Sequence, residues 1–318
     1  MAWRVNAMAP TVKKSSDGLK HTSHVLDQQP KEKTMTKENR ESSQARPTLV
    51  LGATGKTGRR VTARLQALGR PIRIGSRGAS PAFDWTHANG WDACLEGIAA
   101  VYVNYPSDLP IPGSAKTISA FVDRAKRQGV RRIVLLTGRG EDEAQVWEGV
   151  VQDSGLEWTI VRASWFHQNF SEGAFVEAVR AGQISLPAGD AVEPFVDTDD
   201  IADVVVAALT EPGHRGEVYE LTGPRLLSFA DVASEISRAV GRTIEYQPIS
   251  LDAFLAEVAA SGAPSQVVWT MDYLFSKALD GRNAYLTDGV VRALGRPPKD
   301  FSAFAREIAI TETWRVVA

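Results

Sequence analysis

Short apolar runs alternate with amphipathic stretches along most of this chain. The runs are rich in β-branched side chains and bounded by Gly or polar residues, which is typical of buried strands. They predict strands at residues 48–51, 71–75, 82–85, 99–103, 132–137, 157–162 and 217–221. Between them, stretches such as 60–68 and 114–128 repeat apolar side chains at helical spacing. Strands that alternate with helices predict an α/β fold with a doubly wound parallel sheet.

Three glycines follow the first predicted strand at a spacing of three: Gly52, Gly55 and Gly58. A strand, a tight glycine turn and a helix N-terminus together form an anion site, which predicts a Rossmann-like dinucleotide fold. The spacing is G-x-x-G-x-x-G, whereas the usual fingerprint is G-x-G-x-x-G. A P-loop is excluded because only two residues, rather than four, separate Gly52 from Gly55 before the Lys-Thr pair.

The end of the second predicted strand indicates the type of cofactor. An NAD site would place Asp or Glu here for the ribose 2′-hydroxyl, whereas a basic residue accommodates a 2′-phosphate. This chain has Arg77, and Lys56 and Arg59 on the glycine loop add positive charge. We therefore expect NADP(H) rather than NAD(H); the alternative is that Arg77 is a solvated loop cation.

Two more loops lie where a dinucleotide is expected. Asp84 could accept a hydrogen bond from the adenine amino group, with Trp85 packed beside it. The loop that begins at Asn104 follows the strand at 99–103 and lies at the carboxyl edge, where ligands bind in open α/β sheets. The predicted cofactor-binding residues are Gly52, Thr54, Gly55, Lys56, Thr57, Gly58, Arg59, Arg77, Asp84, Trp85, Asn104, Tyr105, Pro106 and Thr137.

The pattern changes at both ends of this region. Residues 1–46 contain few large apolar side chains and many Lys, Ser, Thr and Gln, so we expect a disordered N-terminal extension. One NAD(P)-binding domain is expected at 47–310, with a nucleotide-binding part at about 47–165. Helical patterns dominate afterwards, at 229–240, 251–260, 264–278, 287–294 and 301–310. They predict a smaller, mostly helical substrate-binding part, mainly within 166–318.

Composition narrows the classes of function. The chain has 318 residues, of which 43% are hydrophobic and 23% are charged, as in a globular protein. Its net charge of −2 gives no electrostatic reason to expect binding to nucleic acid or a membrane. Cys94 is the single cysteine, so no intramolecular disulfide can form, and a cytoplasmic location is expected. We interpret Cys94 as a buried, inert thiol and expect no metal site.

The motifs resemble those of the atypical short-chain dehydrogenase/reductases, specifically the NmrA-like group. The likeness covers residues 47–310. It rests on the glycine loop and on the segments 125–136, 158–170 and 195–202. Features at 83–85, 165–171 and 295–301 resemble in particular the agroclavine dehydrogenase branch of ergot-alkaloid biosynthesis. The resemblance implies an NAD(P)-dependent oxidoreductase and leaves its substrate open.

One departure from the family constrains the chemistry. Short-chain dehydrogenases usually carry a Ser after the fifth strand and a Tyr-x-x-x-Lys on the next helix. Here Thr137 stands near the Ser position, and the helix around 141–151 has neither Tyr nor Lys. Without a general acid, carbonyl reduction is disfavoured, whereas a cationic iminium or a quinone can take hydride directly. The distant match Tyr273–Lys277 is interpreted as chance.

The substrate pocket is expected after the sixth predicted strand and on the apolar C-terminal helix. Its candidate residues are Trp165, Phe166, Asn169, Trp269 and Tyr273. Thr137 and His167 are the candidate catalytic groups, since either could donate a hydrogen bond or a proton. For His167 the alternative is a satisfied structural histidine.

Three functions remain open at this point. The first is NADPH-dependent reduction of a small aromatic electrophile of iminium or quinone type. The second is a non-catalytic NAD(P)-sensing regulator, which would also bind a protein partner. The third, an isoflavone-reductase-like enzyme, is disfavoured because the helix lysine of that branch is missing.

Overall fold

The computed structural model describes residues 46–106, 113–173 and 175–316. All of them belong to one compact unit. The predicted disordered extension lies outside the described residues, apart from Arg46. None of the helices in the described ranges combines the length and apolar character that crossing a bilayer requires.

Ten strands and eleven helices make up the described part of the chain. The strands are β1 Thr48–Leu51, β2 Ile72–Gly75, β3 Ala100–Val103, β4 Arg132–Gly138, β5 Glu157–Ala163, β6 Gln183–Leu186, β7 Val192–Glu193, β8 Glu217–Leu221, β9 Leu227–Ser228 and β10 Glu245–Pro248. The helices are α1 Lys56–Ala67, α2 Trp91–Leu95, α3 Ser114–Arg127, α4 Asp142–Gln152, α5 Val176–Ala181, α6 Thr198–Thr210, α7 Phe229–Val240, α8 Leu251–Ala260, α9 Ser265–Tyr273, α10 Gly289–Leu294 and α11 Phe301–Ala309.

Six strands form the central sheet in the order β2-β1-β3-β4-β5-β8, and every neighbouring pair is parallel. Successive side chains of a strand face opposite sides, so Leu49 and Val50 enter two different cores. Helices α2, α3 and α4 cover the first core, and α1, α6 and α10 cover the second. The predicted doubly wound α/β fold is therefore confirmed.

The segment 82–85 is not a strand, contrary to the sequence prediction. Phe83 is buried and packs edge-on against Phe121 and Trp85. Its apolar character therefore reflects a cluster of aromatic rings rather than a place in the sheet. Immediately afterwards, Asp84 accepts a hydrogen bond from the backbone of Thr86, which makes a turn. Cys94 is buried beside this segment, as predicted, and burial raises the pKa of its thiol.

The C-terminal part packs around a third apolar core. Phe170, Phe195, Phe229 and Phe301 contact one another there, and two small sheets, β6–β10 and β7–β9, border it. After β7, Val196 forms an isolated parallel bridge with Phe166, which ties this segment to the chain that follows β5.

Asp197 is the N-cap of α6. The carboxylate of Asp197 accepts a hydrogen bond from the backbone N–H of Asp199 at 2.7 Å. This bond satisfies one of the free N–H groups in the first turn of the helix.

Glu193 on β7 is a buried carboxyl group with an unusual environment. Its side chain is fully buried, and neither oxygen has a hydrogen-bond partner within the described residues. Burial raises the pKa of this carboxyl to about 8, the charge of Asp280 acts in the same direction, and Arg139 opposes it. In the folded chain Glu193 is therefore mainly protonated at neutral pH.

Because of this environment, we expect the free energy of unfolding to depend on pH, and we expect Glu193→Gln to remove that dependence. Between its unfolded pKa near 4.5 and about 8, the folded state holds a proton that the unfolded state has released. The free energy of unfolding therefore falls as the pH rises through this window, by about 1.4 kcal/mol for each unit of pKa difference. Glutamine cannot ionise, so we expect Glu193→Gln to raise the melting temperature relative to the parent more at pH 8 than at pH 5.

Thermal denaturation of both proteins from pH 5 to 8.5 checks this expectation. A parallel pair of melting-temperature curves would contradict it.

Candidate functional site

The glycine loop brings α1 unusually close to β1. Gly52 has a φ of +64°, which favours glycine, and its carbonyl accepts a hydrogen bond from the backbone N–H of Gly55 at 2.9 Å. A Cβ on Gly58 would lie 2.1 Å from the carbonyl oxygen of Gly52. Only glycine at 58 therefore permits this close packing of helix on strand.

The N-terminus of α1 opens at the carboxyl edge of the sheet. Gly55 is its N-cap, and no side chain caps the first backbone N–H groups. Beneath them, the hydroxyl oxygen of Thr57 accepts hydrogen bonds from Tyr102 and from Asn104, each at 2.9 Å. The donors at this helix end thus remain suited to an anion, and the loop beside them is tied to β3.

A groove of about 630 Å³ runs along this loop, and we call it the glycine-loop groove. It brings together eleven of the fourteen predicted cofactor-binding residues. Its lining is Gly52, Thr54, Gly55, Lys56, Thr57, Gly75, Ser76, Arg77, Phe83, Asp84, Trp85, Thr86, Asn104, Tyr105, Pro106 and Gln266. The dimensions and the strip of backbone at the loop fit an extended dinucleotide.

The predicted cations have different roles. Arg77 is exposed at the groove, and within the described ranges its guanidinium has no hydrogen bond or ion pair. Lys56 donates a hydrogen bond to the Asn169 side chain at 2.8 Å. Arg59 does not line the groove, contrary to expectation, because its guanidinium pairs with the carboxylate of Glu172.

The opposite wall of the groove is acidic and aromatic. Hydrogen bonds from the backbone and hydroxyl of Thr86 hold the pKa of Asp84 below its ordinary value, so this carboxylate stays ionised. Trp85 packs against Tyr105 at a ring distance of 4.9 Å, and Tyr105 packs against Trp147 at 5.1 Å. The wall is therefore a rigid aromatic surface with one fixed acceptor.

A second cavity of about 320 Å³, here called cavity A, lies at the carboxyl ends of β4 and β5. Lys56 lines both cavity A and the glycine-loop groove, so the two meet at this residue. Apolar and aromatic groups dominate the lining. Its residues are Lys56, Leu136, Thr137, Gly138, Arg139, Glu141, Ala163, Ser164, Trp165, Phe166, Asn169, Thr270, Met271, Leu274, Ala278 and Asn283.

Thr137 lines cavity A, but its hydroxyl proton already has a partner. The hydroxyl donates to Glu148 of α4 at 2.8 Å, and Arg162 binds the same carboxylate through two of its nitrogens. Arg162 also pairs with Glu220 at 2.9 Å. Thr137 therefore lies at cavity A rather than in the glycine-loop groove. Its hydroxyl proton is directed to Glu148, which leaves its oxygen as an acceptor toward the cavity.

His167 does not face either cavity, so the prediction of a catalytic histidine is wrong. Its side chain is fully buried, with the ring against Phe301 and Phe304. The Nε2 atom lies 2.9 Å from the carbonyl oxygen of Phe195, and Nδ1 lies 3.6 Å from the carboxylate of Asp197. The structural alternative for His167 therefore holds.

Helix α9 borders cavity A as predicted, but with a different face. Thr270 and Leu274, four residues apart, line the cavity, whereas Trp269 and Tyr273 do not. These two rings stack on each other at 5.4 Å on another side of the helix. The Tyr273 hydroxyl donates to Glu143, and burial together with this carboxylate raises the pKa of Tyr273. It lacks the lowered pKa that a catalytic tyrosine needs.

Several lining residues were missed in the sequence. Arg139 follows β4 and is buried, with its guanidinium bound to the backbone carbonyls of Asn283 and Tyr285. Asn283 returns a hydrogen bond to the carbonyl of Arg139 at 3.0 Å. In the sequence, the Gly138-Arg139-Gly140 turn after a predicted strand could have indicated that Arg139 lines the site. No local pattern indicated Asn283, which lies far along the chain.

A family model described as NAD(P)H-binding matches residues 52–212 of this chain, and a model of the NmrA-like family matches residues 142–286. The NAD(P)H azoreductase of Xenophilus azovorans is 32% identical over 280 residues, which cover 81% of this chain and 96% of that protein. The chain belongs to the NAD(P)H-binding, NmrA-like family of oxidoreductases. This confirms the resemblance drawn from the sequence motifs.

The agroclavine dehydrogenase of Claviceps fusiformis is 30% identical to this chain over 277 residues, covering 81% of this chain and 96% of that protein. Among solved structures, an NADPH-dependent quinone oxidoreductase of Escherichia coli complexed with NADPH superposes with a TM-score of 0.70 at 21% identity. The match covers 82% of this chain and 99% of that one, and it shows the shared fold.

The contact between Gly58 and Gly52 predicts a strong effect of one added methyl group. Gly58→Ala should force α1 away from β1, weakening NADPH binding and lowering the melting temperature, because the Cβ has no room. Gly149→Ala in α4 is the matched control, since within the described residues a Cβ there meets no atom closer than 4 Å beyond its chain neighbours and its own helix backbone. That control should equal or exceed the parent in stability because alanine favours a helix.

Thermal denaturation and NADPH fluorescence titration measure both effects. Parent-like NADPH affinity in Gly58→Ala would show that the close approach is not required.

Proposed function

We propose that this protein is an NADPH-dependent reductase that delivers hydride directly to a flat, conjugated electrophile of the quinone or iminium type. The observation that carries the proposal is the junction at Lys56. There the glycine-loop groove meets cavity A, which is lined largely by apolar and aromatic side chains. A cofactor in the groove and an aromatic acceptor in cavity A would thus share one continuous site.

The groove supports NADPH over NADH. Arg77 lies where the second strand ends, the position at which a cation accommodates a ribose 2′-phosphate. No carboxylate competes for its guanidinium within the described part of the chain. The quinone oxidoreductase named above was solved with NADPH, which agrees with this choice. Asp84 and the ring of Trp85 would face the adenine end.

Bound NADPH supplies the hydride, so the protein has to bind, orient and exclude water. Trp165 and Phe166 would hold a flat acceptor in cavity A. Asn169 and Lys56, which are joined by a hydrogen bond, would border the acceptor at the edge of the cavity. The Lys56 ammonium has three N–H groups and can donate to an acceptor oxygen as well as to Asn169. It would stabilise the negative charge that develops on a quinone oxygen.

The absence of an activated tyrosine agrees with acceptors that need no strong acid. Glu148 of α4 is buried beneath Thr137 and does not line cavity A, and its carboxylate is bound to Arg162 and Thr137. A quinone can take its final proton from water, and an iminium needs none. The azoreductase relative is named for another conjugated, electron-poor acceptor class.

Turnover assays test the function. With a naphthoquinone and with a cyclic iminium salt, we expect loss of nicotinamide absorbance that depends on both protein and acceptor. Tight NADPH binding without turnover for any acceptor would overturn the proposal and favour the regulatory alternative, in which the chain senses the nucleotide for a protein partner. A cytoplasmic location stays a prediction.

Cofactor choice has its own test in Arg77→Ala. Removing the guanidinium should raise the KM for NADPH about tenfold, roughly 1.4 kcal/mol of binding, because the 2′-phosphate loses its counter-charge. The KM for NADH should hardly change, since NADH has no 2′-phosphate. Arg127→Ala, an exposed arginine on α3 outside the groove, is the matched control. Equal effects of Arg77→Ala on both cofactors would contradict this assignment.

A further inference from the structure

A third cavity of about 340 Å³, here called cavity B, borders α9 next to cavity A. It is formed by α5, β6, α8 and α9. Among the described residues, its lining contains no charged side chain, and serines are the only polar residues in it. The lining residues are Phe175, Ala178, Ile184, Ser185, Leu186, Phe254, Val258, Ser261, Ala263, Val267 and Met271. Such a surface suits an apolar ligand group.

Met271 belongs to the linings of both cavities. The helical repeat explains this, because residues four apart share a face. These lining residues follow the i, i+3, i+4, i+7 spacing of a single helix face, so the two cavities lie side by side under one face of the α9 segment. Val267 lines cavity B, Thr270 and Leu274 line cavity A, and Met271 lies between them. Its unbranched thioether side chain has three rotatable bonds, so it can move with little strain.

The size of cavity A sets a limit on what fits there. Its 320 Å³ is near the lower end of small-molecule sites, enough for one aromatic ring system. A conjugated acceptor with a second, linked ring needs further apolar space. Cavity B offers a similar volume directly behind Met271.

We infer that cavity B is a second aromatic subsite, which receives the distal ring of an extended two-ring acceptor, and that Met271 is the specificity-determining partition between the subsites. The inference rests on the proposed function for the reacting ring in cavity A. It adds the substrate class: two linked aromatic rings, with an uncharged distal ring.

Val258→Trp tests the subsite by filling it from α8. Val258 lines cavity B and not cavity A, and it is partly exposed, which leaves room for the larger side chain. Ala259→Trp, the next residue, is exposed and lines neither cavity, so it is the matched control. The probe is uncharged 4-hydroxyazobenzene, whose binding in the presence of NADP⁺ is followed by its absorbance.

Val258→Trp should raise the dissociation constant of the dye about tenfold relative to Ala259→Trp. The ratio of the dye's affinity to that of one-ring benzoquinone should fall by a similar factor. Met271→Ala should change this ratio in the opposite direction, because it joins the cavities. Equal dye affinities in Val258→Trp and Ala259→Trp, or an unchanged ratio in Met271→Ala, would overturn the inference.

Two controls keep these outcomes clear. Melting temperature and NADPH affinity report whether each variant is folded, and Ser261→Trp, also in the lining of cavity B, replaces Val258→Trp if that variant does not fold. Dye binding is an equilibrium measurement, so it tests the subsite even if no acceptor is reduced. Failure of turnover in the parent protein would overturn the proposed function separately.

Discussion

The carbonyl oxygen of Gly52 lies where a side chain on Gly58 would have to be, 2.1 Å from the ideal Cβ position. This close approach presses the first turn of α1 onto β1 and exposes its backbone N–H groups at the sheet edge. Thr57, with Tyr102 and Asn104 bound to its hydroxyl, ties the same turn to β3. Lys56 begins α1, so the approach also sets where its ammonium lies. The groove, cavity A and their junction therefore all depend on this contact.

A row of buried or half-buried charged side chains beneath cavity A is paired into ion pairs. This arrangement suits a site whose contribution is to bind the reactants and keep water out. Glu148, Arg162 and Glu220 alternate in sign, and Arg139 lies 3.5 Å from Glu220 at the end of this row. Glu148 holds the pKa of Arg162 above its ordinary value, so the pair stays ionised. Fixed, paired charges keep the floor of the cavity rigid without offering a mobile proton. Direct hydride delivery to a conjugated acceptor requires no more of the protein.

Local signals in the sequence were sufficient for the sheet and the groove. The glycine loop, Arg77 and the Asn104–Pro106 loop each follow a strand, and parallel strands deliver their carboxyl ends to one edge. The predictions that were wrong concern how a segment packs and which face of a helix lines a cavity. Residues 82–85 look like a strand because Phe83 and Trp85 are apolar, yet these rings pack in a cluster. Trp269 and Tyr273 are aromatic, yet the smaller Thr270 and Leu274 face cavity A, since tertiary packing decides which face is turned inward. Asn283 is more than a hundred residues from its partner Arg139, so no local pattern could join them.

The central claim, that cofactor and acceptor meet in one site for direct hydride transfer, is tested most directly by an isotope effect. Single-turnover oxidation of NADPH by a quinone is measured by stopped flow, with deuterium placed at one or the other of the two C4 positions of the nicotinamide. The account predicts that one label slows the step and the other does not, because the groove holds one face of the ring toward cavity A. Equal rates with both labels and with unlabelled NADPH would contradict a rate governed by direct transfer in this site.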